Sequence, residues 1–202
     1  MSHPYKVHKL TVEEYLELEE RSNVRHEYID GQIFAMTGNT ESHNVVCGNL
    51  YSLIHAHVRG TGCRAYINDM KVHVKVDHSF YYPDIMATCE PFEAKSVFKS
   101  LPVLIVEVLS PSTRQVDRRE KLVAYRKLSS LREYVIVSQD RKQIEIHRKR
   151  SDWQWEIETL QGSDDLCLQS LGEQLRIPVS AIYEDVVLPP LVEEPEEEYE
   201  FA

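Results

Sequence analysis

No stretch of this 202-residue chain holds enough consecutive apolar residues to cross a bilayer as a helix. Met1-Ser2-His3-Pro4-Tyr5-Lys6 carries no leader pattern, so a cytoplasmic protein without membrane attachment is expected. Cysteine is sparse: Cys47, Cys63, Cys89 and Cys167 form no Cys-x-x-Cys pair, which argues against zinc ribbons and dithiol redox motifs. In a reducing cytosol they are expected to be buried free thiols. The histidines show no His-x-x-x-His spacing, and His55 and His57, two apart, would point to different faces of a helix. There is no Gly-x-x-x-x-Gly-Lys loop, hence no nucleotide cofactor, and no Gly-x-Ser-x-Gly nucleophile turn. Internal repeats are absent too, which leaves one substantial core in one domain, residues 1–186.

The net charge of −10 speaks against a polyanionic partner until its distribution is considered. Eight acidic residues and no Lys or Arg lie between Glu184 and Glu200, so the body of the chain is nearly neutral. Residues 187–202 are therefore expected to be an acidic, solvated tail. An acidic arm that competes with nucleic acid for a basic groove is the alternative reading.

Thr11-x-x-Glu14 is a capping box opening a short helix, and Asp30-Gly31 between apolar stretches marks a tight hairpin. Val46, Leu50, Leu53, Ile54 and Val58 space an amphipathic helix over 42–59. Strands are expected over 63–67, over 70–76 with Met and Val inward and Lys and His outward, and over 81–87, where Pro83 suits an edge or a bulge. A helix over 116–128, strands over 132–138, 143–148 and 153–160, and a short helix over 177–183 complete the series. The order indicates an α+β (α/β) fold with one mixed central β-sheet flanked by helices.

The most informative segment is Leu101-Pro102-Val103-Leu104-Ile105-Val106-Glu107-Val108-Leu109, a buried strand with one carboxylate inside it. Alternation puts Glu107 on a face with Val103, Ile105 and Leu109, where an unpaired charge would cost several kcal/mol. Glu107 therefore needs a cation, a proton or a metal. Asp84, after Pro83, meets it on one face if their strands are neighbours, and two carboxylates suit hard, oxygen-seeking Mg²⁺. Taken singly, Asp84 also fits an ordinary strand-end acid and Glu107 half of a buried ion pair. Asp117, Lys121 and Tyr125 repeat every four residues along one helical stripe, which places Lys121 either within reach of the carboxylates or in solvent. The segment 114–127 holds six basic residues against two acidic, and Arg114, Arg118 and Arg119 are candidates to face phosphates. Trp153, Trp155 and Tyr81-Tyr82 could stack on bases or simply pack at a sheet edge.

Together these pieces resemble the Uma2 family: Pro83-Asp84; Val106 to Thr113; Asp117-x3-Lys121-x3-Tyr125; Arg132 to Val137; and, further out, Arg25 to Gly31, His43-Asn44 and Leu171-Gly172. The resemblance covers about residues 11–186. It implies a restriction endonuclease-like core of the PD-(D/E)xK kind, with Asp84 and Glu107 as the two acids. The lysine expected two positions after the second acid is replaced by Leu109, and in this family a lysine of the following helix, here Lys121, appears in its stead. Glu27 and Asp69 match recurring acids; Glu27 becomes a candidate further metal ligand, while Asp69 reads better as a turn residue. The resemblance implies a Mg²⁺-dependent endonuclease (Mn²⁺ substituting) acting on DNA, with a homodimer expected for cutting both strands. The alternative is a degenerate member that retains the fold as a nucleic-acid-binding or protein-interaction module.

Overall fold

The structure, a computed structural model, describes residues 9–36, 38–109 and 117–190, and the side chains of all of these except Asp117 and Arg118. Arg114, the Ser110-Pro111-Ser112-Thr113 segment and the tail from 191 onward lie outside the described residues, as do the side chains of Asp117 and Arg118.

In chain order, α1 (Val12–Arg21) opens on the anticipated capping box: the Glu14 amide donates to Thr11 Oγ1 at 3.2 Å, and the Thr11 amide donates to Glu14 Oε2 at 2.8 Å. Strands β1 (His26–Ile29) and β2 (Gln32–Ala35) form the hairpin, with Asp30 and Gly31 both left-handed at φ 46° and 88°. A Cβ at Gly31 would meet the Lys9 side chain at 2.6 Å, so glycine is required by space as well as by backbone. Next come α2 (Glu41–Val58), β3 (Arg64–Ile67), β4 (Lys71–Val74), β5 (Ser79–Tyr81), β6 (Ile85–Thr88), β7 (Phe98–Lys99) and β8 (Pro102–Leu109). A π-helical turn (Asp117–Lys121) leads into α3 (Leu122–Tyr125). The chain continues through β9 (Glu133–Ser138), β10 (Gln143–Lys149), β11 (Trp155–Gln161), β12 (Asp165–Leu168), β13 (Leu175–Pro178) and α4 (Val179–Ile182).

The α+β class stands, but the single sheet does not. Strands divide into a six-stranded sheet, β11-β10-β9-β8-β6-β3, a five-stranded sheet, β2-β1-β5-β4-β7, and the β12–β13 hairpin. The expected strand over 81–87 breaks at Tyr82-Pro83-Asp84, where the chain leaves one sheet for the other. Proline has no amide for a ladder and fits that corner. The six-stranded sheet is mixed, because β8 and β9 run parallel while its other pairs are antiparallel.

One face of that sheet (Val106, Val108, Val135, Val137, Ile144) packs on the α2 stripe Val46, Leu50 and Ile54, and on Leu166, Ile177 and Ile182. The other face (Ile105, Leu109, Tyr134, Ile136) meets Val72, Val74 and Tyr81 of the five-stranded sheet and Ala124 and Tyr125 of α3. Glu107 thus enters a seam between two sheets and a helix. Val103 departs from the expected face: the β6–β8 register shifts between Ala87 and Thr88, and Val103 packs with the α2-side cluster.

Three further expectations are corrected. Cys63 and Cys89 are joined in a disulfide, leaving Cys47 and Cys167 as free thiols. They flank the paired residues Arg64 and Thr88, so the antiparallel register that brings them together was not visible in the chain. Lys71, expected outward, is buried, with its ammonium donating to the Tyr82 hydroxyl at 3.1 Å. The helix over 116–128 is a π-helical turn and a single α-helical turn. No helix among the described residues is long and apolar enough to cross a membrane.

Candidate active site

Antiparallel pairing of β6 with β8 sets Ile85 opposite Val106; Asp84 immediately precedes β6 and Glu107 follows Val106 on β8. The two acids thus stand at the same end of the β6–β8 ladder. Asp84 is fixed by its surroundings: the Val108 amide donates to its Oδ2 at 2.7 Å, and His43 Nε2 lies 3.3 Å from the same oxygen. Both contacts fall on Oδ2, which leaves Oδ1 without a hydrogen bond among the described residues.

Glu107 is 3% exposed. The Tyr125 hydroxyl donates to its Oε1 at 2.9 Å and the Lys121 ammonium to the same atom at 3.3 Å. Lys121 also lies 3.0 Å from Oε1 of Glu27, which enters from β1 of the other sheet and accepts the Tyr82 amide at 3.3 Å. Lysine 121 therefore ties the two sheets together between the carboxylates of Glu107 and Glu27. Its side chain, like those of Glu107 and Glu27, is almost wholly withdrawn from water. The π-helical turn ending at Lys121 widens the helix just where lysine and tyrosine must both reach one oxygen, a kind of distortion found often at functional positions.

The chemistry of neighbouring groups follows. Burial pushes the Tyr125 phenol well above its ordinary range, and the nearby Glu107 and Glu27 charges push the same way, so it acts as a neutral donor. The Cys47 thiol, one helical turn beyond His43, is also raised by burial, then by Asp84 and Glu107; its Sγ lies 3.8 Å from the Asp84 carbonyl oxygen. It is a poor nucleophile in this state.

Of the residues singled out in the sequence, Glu107, Lys121, Tyr125 and Glu27 are joined by direct contacts, and Asp84 is bonded to the amide of Val108, next to Glu107. Arg119 does not join them; it lines an open cleft with Val76, Asp77 and Lys127. Asp69 is exposed and paired with Arg25 at 2.8 Å, away from the carboxylate cluster. His43 was not anticipated as part of the cluster. Its signal was a polar residue on the buried stripe of α2, where His43, Cys47, Leu50 and Ile54 all lose contact with solvent. Among the described residues there is no group of three or more His, Cys, Asp or Glu side chains already gathered to hold a metal ion. Two acids are nonetheless within what Mg²⁺ uses, since it keeps several waters.

The chain resembles known proteins over most of its length. The family model Uma2, described as "Putative restriction endonuclease", matches residues 12–180. The uncharacterized protein slr1290 of Synechocystis sp. (strain ATCC 27184 / PCC 6803 / Kazusa) is 40% identical over 176 residues, covering 87% of this chain and 92% of that protein. The uncharacterized protein sll1609 of the same strain is 30% identical over 158 residues, 77% of this chain and 89% of its own length. A crystal structure described as "a putative nuclease belonging to DUF820" from Anabaena variabilis superposes with a TM-score of 0.72. It covers 88% of this chain and 99% of its own at 18% identity, a likeness of fold and consistent with a restriction endonuclease-like core. With a model match over most of its length and two relatives sharing at least 30% of their residues with it, the chain belongs to the Uma2 family.

Proposed function

We propose that the protein is an endonuclease that hydrolyses phosphodiester bonds of DNA with Mg²⁺, Mn²⁺ substituting. The observation that supports this reading is Asp84 at the head of β6, its carboxylate accepting the amide of Val108 next to Glu107, with Lys121 reaching Glu107 from the helical segment after β8. The donor set suits the ion: hard carboxylate oxygens, one of them (Asp84 Oδ1) with no bond among the described residues, and the Glu27 and Glu107 carboxylates around one lysine ammonium.

Asp84 and Glu107 would hold the ion, with Glu27 as a candidate further ligand. When bound, it would lower the pKa of a coordinated water and polarise a phosphate oxygen. The protein's own groups supply the rest. The Val108 amide and His43 hold the Asp84 carboxylate in one orientation, and Tyr125 does the same for Glu107. Lys121, between two carboxylates, brings a positive charge to where a water would be oriented and where negative charge grows on phosphorus. Water attacks in line: the new oxygen–phosphorus bond forms as the bond to the 3′ oxygen breaks, giving a 5′ phosphate and a 3′ hydroxyl. We take residues 1–186 as the nuclease domain and a homodimer as the unit that cuts both strands.

A second reading is a nuclease-like fold kept as a binding module. It is favoured by Leu109 at the usual lysine position and by the ion pairs that already engage Glu107 and Glu27. Incubation of plasmid with wild type, Asp84→Ala and Lys121→Ala decides between them. Magnesium-dependent nicking that both substitutions abolish supports the nuclease; identical behaviour of all three proteins supports the module.

A further inference from the structure

At the far end of β9 and β10 from the carboxylates, a cleft of about 600 Å³ is lined by Arg132, Arg148, Lys149, Arg150, Glu156 and Ser170. Its cations are not equivalent. Arg148 is consumed by the fold: it meets Glu133 at 3.1 Å, Glu158 at 3.2 Å and the Cys167 carbonyl at 2.9 Å. Glu133 is in turn fully engaged, its other oxygen accepting the Gln169 and Ser170 amides, so it does not neutralise the cleft. Arg132 has no acidic partner among the described residues, and Arg150 has only a loose, exposed contact with Asp152 at 3.7 Å. Glu156 is the remaining acid in the lining.

Lys149 sits between these arginines. Its amide donates to the Arg132 carbonyl at 2.8 Å, and burial followed by the Arg132 charge lowers its ammonium pKa. Like charges held together in a cleft are unfavourable until an anion joins them. The Ser170 hydroxyl, buried in the wall, has no hydrogen-bond partner among the described residues. At the tip of the β10–β11 hairpin, Trp153 is 66% exposed. Its φ of 67° lies in the left-handed region, which a bulky L side chain resists. The Trp153 ring lies 4.1 Å from the Lys149 ammonium, and its other side is open to an aromatic partner. Trp155, with Arg126 over its ring at 5.4 Å, extends the aromatic surface.

We propose that this cleft binds nucleic acid as single strand, its phosphate on Arg132, Lys149 and Arg150 and an unpaired base stacked on Trp153. Alternating cations and an exposed indole are what a strand with free bases requires. Along β9, Glu133 stands three residues before Ile136, the partner of Glu107, so the two positions lie about 10 Å apart along the strand, with their side chains on opposite faces of the sheet. The inference deepens the nuclease reading and rests on it only for the choice of nucleic acid as the anion.

Fluorescence anisotropy with a short labelled single strand, in EDTA so that nothing is cut, tests it. Arg132→Ala/Arg150→Ala should weaken binding about tenfold and flatten its salt dependence. Trp153→Ala should weaken binding about fivefold or more, with Trp153→Phe recovering most of it and duplex binding little changed. Unchanged affinity in both Ala variants overturns the inference, as does a wild type that binds no strand. Competition by poly-glutamate equal to that by unlabelled strand also overturns it, by marking a generic anion or acidic-peptide site. Plasmid cleavage is read separately: loss of cleavage in Asp84→Ala with unchanged cleft binding supports both readings, cleavage without strand binding supports the nuclease alone, and normal strand binding without any cleavage supports the cleft alone.

Discussion

The Tyr125 hydroxyl donates to Glu107 Oε1 at 2.9 Å from a position with no exposure to solvent. This is the bond by which the helical segment after β8 holds the strand's buried carboxylate. Tyr125→Phe removes one donor from a buried charge and keeps the ring. We expect a loss of about 1.5–3 kcal/mol, the range for hydrogen bonds to charged groups, read as a lower urea midpoint at unchanged slope.

Lys121 is the sterner case. Lys121→Met takes from Glu27 and Glu107 the ammonium they share and should cost about 3–5 kcal/mol. In a Glu27→Gln/Glu107→Gln background the same substitution should cost under about 1 kcal/mol. A cycle of urea melts that shows equal costs in both backgrounds would mean the ammonium is held by something other than these acids.

Alkaline pH should destabilise the fold. Burial pushes Tyr81 up to about 12 and raises Tyr125, Tyr82 and Tyr183 as well. Their folded values lie above the unfolded one, so their contribution is intact below about pH 10 and is lost as pH rises toward the folded values. The unfolded chain gives up protons that the folded chain keeps, at about 1.4 kcal/mol per pH unit for each tyrosine. Urea midpoints should fall between pH 9.5 and 11.5 on the order of that slope, with part of the phenolate absorbance delayed until the protein unfolds; a flat profile would contradict the buried phenols.

The Cys63–Cys89 bridge closes a separation of 26 residues. Without reductant, denatured protein should take up two alkylating groups rather than four, at Cys47 and Cys167. Reduction should cost on the order of 3 kcal/mol by loop-closure entropy, and an equal midpoint with and without reductant would contradict it.

Much of the site could be seen in the chain because each element of it broke a local pattern. Glu107 interrupts an apolar strand, Asp84 follows a proline, and Lys121 and Tyr125 stand four apart ahead of the next strand. What could not be seen depends on three-dimensional register. The division into two sheets at Tyr82-Pro83-Asp84 is decided by which edges the flanking strands find, not by propensity at the corner. Cys63 and Cys89 meet only because Arg64 pairs with Thr88. Lys71 alternates as an outward residue yet is covered where Tyr82 closes over it. His43 left a trace, a polar side chain on an apolar helical stripe, and its meaning emerged once Asp84 lay beside it.

The claim on which the rest depends is that Asp84 and Glu107 form one divalent-cation pocket. Anomalous diffraction from crystals soaked in Mn²⁺ tests it most directly. The account predicts a single strong peak about 2.0–2.2 Å from an oxygen of each carboxylate, close to the Lys121 ammonium and absent in Asp84→Ala. Glu107 still bonded to Lys121 and Tyr125, with no peak between the two acids at millimolar metal, would contradict it.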